Sequence, residues 1–164
     1  MFTLMKFDDS PQAPRWIAVN DVVMGGHSTG GAKVADGMLE FSGELSLENH
    51  GGFSSVRSVD GNFDLGGASA VVLRVRGDGR HYQLRLTTDA RHRGIRVSYG
   101  AGFDTTAGEW MEVRVPLASL NPTVRGSSLQ GPALDTSQVQ AIGLLIADKR
   151  EGAIALAVDW IAVE

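Results

Sequence analysis

Residues 70–87 read AVVLRVRGDGRHYQLRLT and contain the clearest alternation of apolar and polar side chains in this chain. Alternation with a period of two is typical of a β-strand that has one face buried and the other in solvent. Two such runs flank Gly77-Asp78-Gly79, in which Asp-Gly supplies the positive φ angles of a tight turn. The stretch therefore predicts a β-hairpin, and with it an antiparallel β fold.

The predicted hairpin divides these side chains between two faces. The apolar face, which we expect to be buried, holds Val71, Leu73, Val75, Tyr82, Leu84 and Leu86. The polar face holds Arg74, Arg76, His81, Gln83, Arg85 and Thr87. We expect Arg74, Arg76, Gln83 and Arg85 to form one cationic surface for an acidic partner or an anionic ligand, because guanidinium groups bind carboxylate and phosphate through paired hydrogen bonds. The alternative is that these arginines only cover the solvent side of the strands.

Positive charge is concentrated in this part of the chain. Residues 74–96 contain seven arginines and two aspartates, although the whole chain has a net charge of −4. The negative net charge argues against a general nucleic-acid binder. The local excess of arginine indicates a binding surface within an otherwise acidic protein.

Further strands are predicted on both sides of this stretch. A second hairpin spans 32–42, with its turn at Asp36-Gly37 and with Leu39 and Phe41 as its buried side chains. Alternation also predicts strands at 2–7, 53–59, 94–99, 109–115, 141–147 and 154–163, the last with Ile154, Leu156, Val158 and Trp160 on one face. Residues 116–138 are irregular, and Asp135 is expected to cap a short helical turn there. About ten short strands without an amphipathic helix predict an all-β fold, a two-sheet antiparallel β-sandwich or jelly roll.

Length and composition restrict the class of protein. A chain of 164 residues with 43% hydrophobic residues is expected to form a single domain spanning 1–164. The absence of cysteine excludes disulfides, thiolate metal sites and cysteine nucleophiles. The sequence lacks both an apolar run of about 18 residues and an N-terminal signal peptide, so we expect no membrane span and a cytoplasmic location.

Three glycine-rich or apolar motifs link this chain to a known family. They are WIAVNDVVMGGHS at 16–28, LENHGGF at 47–53 and IGLLIADK at 142–149. With these motifs the sequence resembles the complex I intermediate-associated protein 30 family. The resemblance implies a galactose-binding-like β-sandwich and a non-enzymatic role in binding or assembly. It also implies a protein partner, with respiratory complex I subunits as one possibility.

The first two motifs hold the remaining candidate residues for binding a ligand or partner. Paired glycines allow tight turns, and the polar side chains beside them can bond to exposed backbone groups or to a ligand. We expect Trp16 to pack on Met24 here, and Asn20 and Asp21 to bond to backbone N–H groups. The candidates are Asn20, Asp21, Met24, Gly25, Gly26, His27, Ser28, Asn49 and His50.

Gly26-His27-Ser28-Thr29-Gly30 also fits the G-x-S-x-G expression of a hydrolase nucleophile elbow. An elbow needs a strand before the serine and a helix after it, whereas here Gly31 and a predicted hairpin follow. We therefore expect Ser28 to be structural and the protein not to be an enzyme. An unrecognised hydrolase is the third hypothesis for its function.

Metal sites have little support in the sequence, and no cofactor is expected. The four histidines have neither helical i, i+4 spacing nor cysteine companions, although His27 and His50 would approach if their loops meet. A structural calcium ion between the terminal strands would use Asp8, Asp9 and Asp159, because calcium prefers oxygen ligands.

A carbohydrate-binding module is the second hypothesis for function. Sugar recognition requires exposed aromatic rings, since rings stack on the apolar faces of sugars. Trp110 is the best candidate, because it alternates with Glu112 and Arg114 opposite an apolar face.

Overall fold

The computed structural model describes residues 1–8, 15–20 and 26–164. These residues form thirteen strands: β1 Phe2–Lys6, β2 Trp16–Asn20, β3 Thr29–Ala35, β4 Met38–Leu45, β5 Ser54–Ser58, β6 Ala70–Arg76, β7 His81–His92, β8 Ile95–Asp104, β9 Trp110–Pro116, β10 Asn121–Val124, β11 Ser127–Ser128, β12 Ala141–Ile146 and β13 Gly152–Val163. Short helical turns occur at Glu48–His50, Leu117–Ser119 and Thr136–Gln138. The Asp135 carboxylate accepts a hydrogen bond from the Ser137 N–H at 3.1 Å, so the predicted cap is confirmed.

The strands form two antiparallel sheets whose inner faces share one core. The six-stranded sheet has the order β3-β4-β13-β6-β9, with β1 also paired to β13. The seven-stranded sheet has the order β11-β10-β8-β7-β12-β5-β2. The expected all-β, two-sheet sandwich is therefore confirmed.

The core is built from the inward side chains of both sheets. Phe41 of the six-stranded sheet meets Tyr82 of the seven-stranded sheet edge to face, with 6.2 Å between ring centroids. The Tyr82 ring in turn stacks on Phe103 at 6.3 Å. Burying each large apolar side chain stabilises the fold by roughly 1.5–3 kcal/mol. Burial of Leu39 and Phe41, and of all six inward residues expected from 70–87, is confirmed.

β6 and β7 do not form the predicted hairpin, and that prediction was wrong. β6 pairs with β13 and β9, whereas β7 pairs with β8 and β12 in the other sheet. The Asp78 carboxylate holds the loop between them, because it accepts hydrogen bonds from the Tyr82 hydroxyl at 3.0 Å and from the Ala155 N–H at 2.9 Å. Since Ala155 lies on β13, these bonds fix a crossing between sheets. Both strands still bury their apolar faces, because they face the same core from opposite sides.

The second predicted hairpin is present as expected. β3 and β4 pair with Ala35 opposite Met38, so the turn has two residues. Asp36 and Gly37 have φ angles of 55° and 74°. Two positive φ angles match the twist of the adjoining strands, which is why Asp-Gly predicted this turn correctly.

A bulge in β13 changes which of its side chains face the core. Val158 pairs with Val75 and Trp160 pairs with Arg74, so Asp159 is an extra residue in the strand. Beyond the bulge Ile161, not Trp160, is fully buried. The expected placement of Trp160 on the face of Val158 was wrong, because one extra residue reverses the alternation.

Candidate cleft on the seven-stranded sheet

A cleft with a volume of about 890 Å³ lies on the outer face of the seven-stranded sheet. It is lined by Val19, Phe53, Gln83, Arg85, Thr123, Arg125, Gly126, Leu145 and Ala147. Strand alternation places Gln83, Arg85 and Leu145 on this outer face, because their neighbours Leu84, Leu144 and Ile146 point into the core. The register aligns Val19, Ser55, Leu145 and Gln83 in one row across four strands.

Glycines on the strand beside β7 leave room for its longer outward side chains. A Cβ atom at Gly100 would lie 2.5 Å from Nη1 of Arg85, so only glycine lets the guanidinium lie flat across β8. A Cβ atom at Gly102 would likewise collide with the ring of His81. Because these glycines have no side chains, the surface of β8 does not fill the cleft, and the Arg85 side chain lies close to the sheet.

The Arg85 guanidinium is held entirely by neutral oxygen atoms. Nε donates to Ser98 Oγ at 3.0 Å, Nη1 to Gln83 Oε1 at 2.8 Å and Nη2 to Thr123 Oγ1 at 2.7 Å. Burial lowers the pKa of Arg85, because desolvation disfavours its charged form. Arg85 has no carboxylate partner among the described residues.

The cleft as a whole is cationic on one side and apolar on the other. Arg125 stands at the rim in the turn between β10 and β11, and the lining contains no aspartate or glutamate. Other arginines are neutralised: Arg57 and Arg96 share Asp60, at 3.4 and 3.1 Å. Phe53 and Leu145 supply the apolar side. This arrangement suits a ligand that carries both an anionic group and an apolar group.

The motif residue Asn20 joins the two sheets at the margin of this cleft. Its Nδ2 donates to the Gly30 carbonyl of β3 at 3.1 Å, and its Oδ1 accepts from the Ser54 hydroxyl of β5 at 2.5 Å. We expected Asn20 to bond to a backbone N–H group, whereas the backbone group that it contacts is a carbonyl. Because Val19 and Phe53 are the chain neighbours of this pair, Asn20 positions one wall of the cleft.

The two glycine-rich loops meet through Asn49 and His27. Asn49 Nδ2 and His27 Nε2 lie 2.7 Å apart. Gly26 is buried beside them. A smaller pocket of about 420 Å³ adjoins these loops and is lined by His27, Glu44, Leu45, Ser46, Glu48, Glu151 and Gly152. His50 lies in the helical turn 48–50, and Asp21, Met24 and Gly25 lie outside the described residues.

Ser28 is a structural residue in this fold. It is 1% exposed, and its Oγ donates to the Ser46 carbonyl at 3.1 Å and accepts from the Ser46 N–H at 2.9 Å. It precedes the antiparallel edge strand β3, and no α-helix follows it in the described chain. An elbow geometry that exposes a nucleophile is therefore not formed by the described residues.

Arg74 and Arg76 do not share a surface with Arg85, so the expected single cationic face was wrong. They project from β6 in the six-stranded sheet, where their Cζ atoms lie 5.2 and 5.0 Å from the ring centroid of Trp110. Arg74 Nε also contacts Asp159 Oδ2 at 3.3 Å. The sequence placed these arginines with Arg85 only through the hairpin that does not exist.

The proposed calcium ligands are not assembled in the described part of the chain. There, no group of three or more histidine, aspartate or glutamate side chains has the geometry to hold a metal. Asp159 is paired with Arg74, and Asp9 lies outside the described residues. A calcium site using Asp8, Asp9 and Asp159 therefore stays a prediction.

Sequence reasoning missed most of the cleft. Of the lining residues, the sequence analysis expected Gln83 and Arg85 in a binding surface. It did not expect Val19, Phe53, Thr123, Arg125, Leu145 and Ala147 there. One signal was available, because Leu145 alternates with the buried Leu144 and Ile146 and so had to be an apolar residue on the outer face.

None of the helical turns among residues 1–8, 15–20 and 26–164 has the length or the hydropathy needed to cross a membrane.

Comparison with known proteins identifies both a family and a fold. The family model described as complex I intermediate-associated protein 30 matches residues 5–158. The mitochondrial complex I intermediate-associated protein 30 of Mus musculus is 25% identical over 185 residues, covering 96% of this chain and 54% of that protein. The chain thus spans about half the length of this curated relative.

The similar solved structures include carbohydrate-binding modules and agarases. The family 11 carbohydrate-binding module of a cellulosomal cellulase from Clostridium thermocellum has a TM-score of 0.71 and 13% identity, covering 98% of this chain and 92% of that one. An agarase has a TM-score of 0.64 and 13% identity, covering 99% of this chain but 24% of the agarase. At these identities the likeness establishes the β-sandwich fold alone.

Proposed function

Because the chain belongs to the complex I intermediate-associated protein 30 family, we propose that it is a non-catalytic module that binds a protein partner in the cleft of the seven-stranded sheet. The observation that carries this proposal is the cleft itself, an outer sheet face with a cationic and an apolar side. Ser28 supports the non-catalytic part, because its hydroxyl is buried and engaged by Ser46. We expect this module to act in the cytoplasm.

Aromatic side chains favour a protein partner over a glycan. Phe53 is the aromatic residue of the cleft. Tyr82 and Tyr99 are buried, and Trp110 and Trp160 belong to the six-stranded sheet. Trp16 packs on Phe7 at 6.0 Å. Since residues 9–14 and 21–25 contain no aromatic residue, the chain offers few rings on which a sugar could stack in this cleft.

The family suggests which partner to test first. Its name and that of the murine relative refer to intermediates of complex I. Subunits of respiratory complex I are therefore the first candidates. An acidic segment on such a subunit would complement the arginines of the cleft.

A carbohydrate-binding module is the second candidate function. It is favoured by the fold shared with a family 11 module in complex with a mixed-linked tetrasaccharide. Gln83, Arg85 and Thr123 offer hydrogen-bonding groups to sugar hydroxyls as well as to a peptide.

To test the proposal, a large side chain is introduced into the cleft, and the molecules bound by the variant and by wild type are compared. Ala147 is exposed in the cleft, so Ala147→Trp should block it without disturbing the core. Ala155 is exposed on the opposite sheet, which makes Ala155→Trp the matched control. Each immobilised protein is incubated with an extract of the native host and, separately, with a glycan array.

Three outcomes separate the candidate functions. The proposal requires a protein that wild type and Ala155→Trp capture and Ala147→Trp does not. Glycan binding that is lost only in Ala147→Trp would favour the carbohydrate-binding module. Equal capture by all three proteins would exclude the cleft as the binding site.

A further inference from the structure

We infer that the cleft recognises the carboxylate of an acidic residue in an extended peptide segment, with Arg85 binding the carboxylate and Phe53 and Leu145 contacting a neighbouring apolar side chain. This inference rests on the proposed function and names the chemistry of its partner. Three features of the cleft support it: an unneutralised guanidinium, a second arginine at the rim, and an apolar wall at the right separation.

Arg85 has both the charge and the free donors for a carboxylate. A guanidinium has five N–H donors, and the bonds to Ser98, Gln83 and Thr123 use one each on Nε, Nη1 and Nη2. One N–H therefore remains on each Nη atom. A partly desolvated cation with no carboxylate nearby is stabilised when a ligand supplies one, which makes the acidic group a source of binding energy.

Several arginines differ from Arg85 in this respect, because each has a carboxylate partner. Arg80 is paired with Asp148 and Arg114 with Glu164, at 2.7 and 2.8 Å. Arg74 is paired with Asp159 at 3.3 Å. Arg85 is thus a half-buried arginine of the cleft lining that has no carboxylate partner among the described residues.

Arg125 adds a second positive charge in the same cleft. It has a φ angle of 50° and is followed by Gly126 at 81°, so the tight turn after β10 holds it at the rim. Arg125 is exposed and makes no ion pair among the described residues. We assign it an auxiliary role, because an exposed charge is screened by solvent.

The apolar wall lies at a distance that suits an extended peptide. Leu145 is directly opposite Gln83, and Arg85 is two residues further along β7. With about 4.8 Å between strands and about 3.4 Å per residue along a strand, the Cα atoms of Leu145 and Arg85 are roughly 8 Å apart. The Arg85 guanidinium lies further from Leu145, because it extends across β8 on the other side of β7. Side chains at positions i and i+2 of an extended peptide are about 7 Å apart on one side. One peptide that crosses the strands can therefore place an apolar side chain at Leu145 and extend the long side chain of a glutamate at position i+2 across β7 towards the guanidinium of Arg85.

The test uses two defined pools of fluorescein-labelled, acetylated hexapeptides. Both pools have Leu or Phe at position 2 and mixed Ser and Ala elsewhere; one has Glu at position 4 and the other has Gln. Oligogalacturonate is the acidic-glycan probe. Binding to the full chain is measured by fluorescence anisotropy, at low and high ionic strength.

The variants distinguish the loss of the Arg85 charge from the loss of a positive charge elsewhere on the protein. Arg85→Met keeps the length of the side chain and removes the guanidinium. Arg76→Met is the matched control, because Arg76 lies on the other sheet against Trp110. Gly100→Ala tests the same site with Arg85 retained, since its methyl group would displace the guanidinium. Circular dichroism verifies that each variant is folded.

The inference predicts that the Glu pool binds about tenfold or more tightly than the Gln pool, a preference that Arg85→Met and Gly100→Ala abolish and Arg76→Met retains. Equal binding of the two pools, or binding of neither, would overturn it. Oligogalacturonate binding without peptide binding would also overturn it, in favour of an acidic glycan. If Ala147→Trp loses a natural partner while Glu and Gln pools behave alike, the proposed function stands and this inference fails.

Discussion

Arg80 and Asp148 form a bidentate ion pair that links the crossing between β6 and β7 to the loop after β12. Arg80 Nε lies 2.9 Å from Asp148 Oδ2, and Nη2 lies 2.7 Å from Oδ1. Both side chains are 7% exposed. Arg80 also donates to the carbonyls of Gly152 and Ala153 at the start of β13. The pair therefore fastens the two sheets together at one end of the sandwich.

Asp148→Ala should reduce the free energy of unfolding by about 3–5 kcal/mol at neutral pH. Removing one partner of a buried pair leaves the other charge desolvated and unpaired. Asp159→Ala is the control, since Asp159 is 43% exposed in its contact with Arg74 and should contribute at most about 1 kcal/mol. Urea unfolding followed by tryptophan fluorescence measures both. Equal losses in the two variants would contradict the structural importance of this pair.

The same pair should contribute to stability in a pH-dependent way. Burial acts to raise the pKa of the Asp148 carboxyl, but the bonds from Arg80 and the Arg150 N–H hold it below its usual range. A folded-state pKa below the unfolded value of about 3.9 stabilises the fold above that pH and stops doing so as pH falls through the folded value. Wild type should therefore lose more stability below about pH 4 than Asp148→Asn. Unfolding curves from pH 7 to pH 3 test this, and parallel losses would contradict it.

Leu84→Ala should destabilise the fold by about 2–5 kcal/mol. Leu84 is fully buried between the sheets, so its removal leaves a cavity in addition to the lost transfer free energy. Leu47→Ala is a suitable control, because Leu47 is 39% exposed and should change stability much less. Denaturant midpoints of the two variants give the comparison. A wild-type midpoint for Leu84→Ala would argue against this core.

Ser28 should not react with a fluorophosphonate probe. Its hydroxyl is buried and bonded on both sides by the Ser46 backbone, so it is neither accessible nor activated. Mass spectrometry of the intact protein measures labelling directly. Stoichiometric labelling that disappears in Ser28→Ala would show an enzyme in place of a binding module.

Gly100→Ala should leave the fold almost as stable as wild type, although it moves Arg85. The new methyl group meets the far end of a flexible side chain, which can shift at little cost. Gly31→Ala is the matched control, because a Cβ atom there has no neighbour within 4 Å among the described residues. Calorimetry of both variants measures the cost. A large destabilisation confined to Gly100→Ala would show that Arg85 is held mainly for stability.

The sequence was enough to predict most of the strands, because strand formation depends on local alternation, but β2, β10 and β11 were not predicted. The period-two pattern located β6, β7 and the hairpin of β3 and β4, and the buried faces followed from it. It also predicted the cap at Asp135, a contact between residues two apart in the chain. The loop motifs predicted the family, which the match over residues 5–158 confirms.

Which strands pair, and which side chains share a surface, was decided by contacts between distant parts of the chain. The hydrogen bonds that Asp78 accepts from Tyr82 and Ala155 hold the crossing of the chain from β6 to β7 in the opposite sheet, and this crossing separates Arg85 from Arg74. The cleft combines Val19, Arg85 and Leu145 from strands far apart in sequence. Alternation determines only which way a side chain points from its own strand. The neighbours it meets there depend on sheet order, because the free energy of pairing comes from non-local contacts that no local pattern encodes.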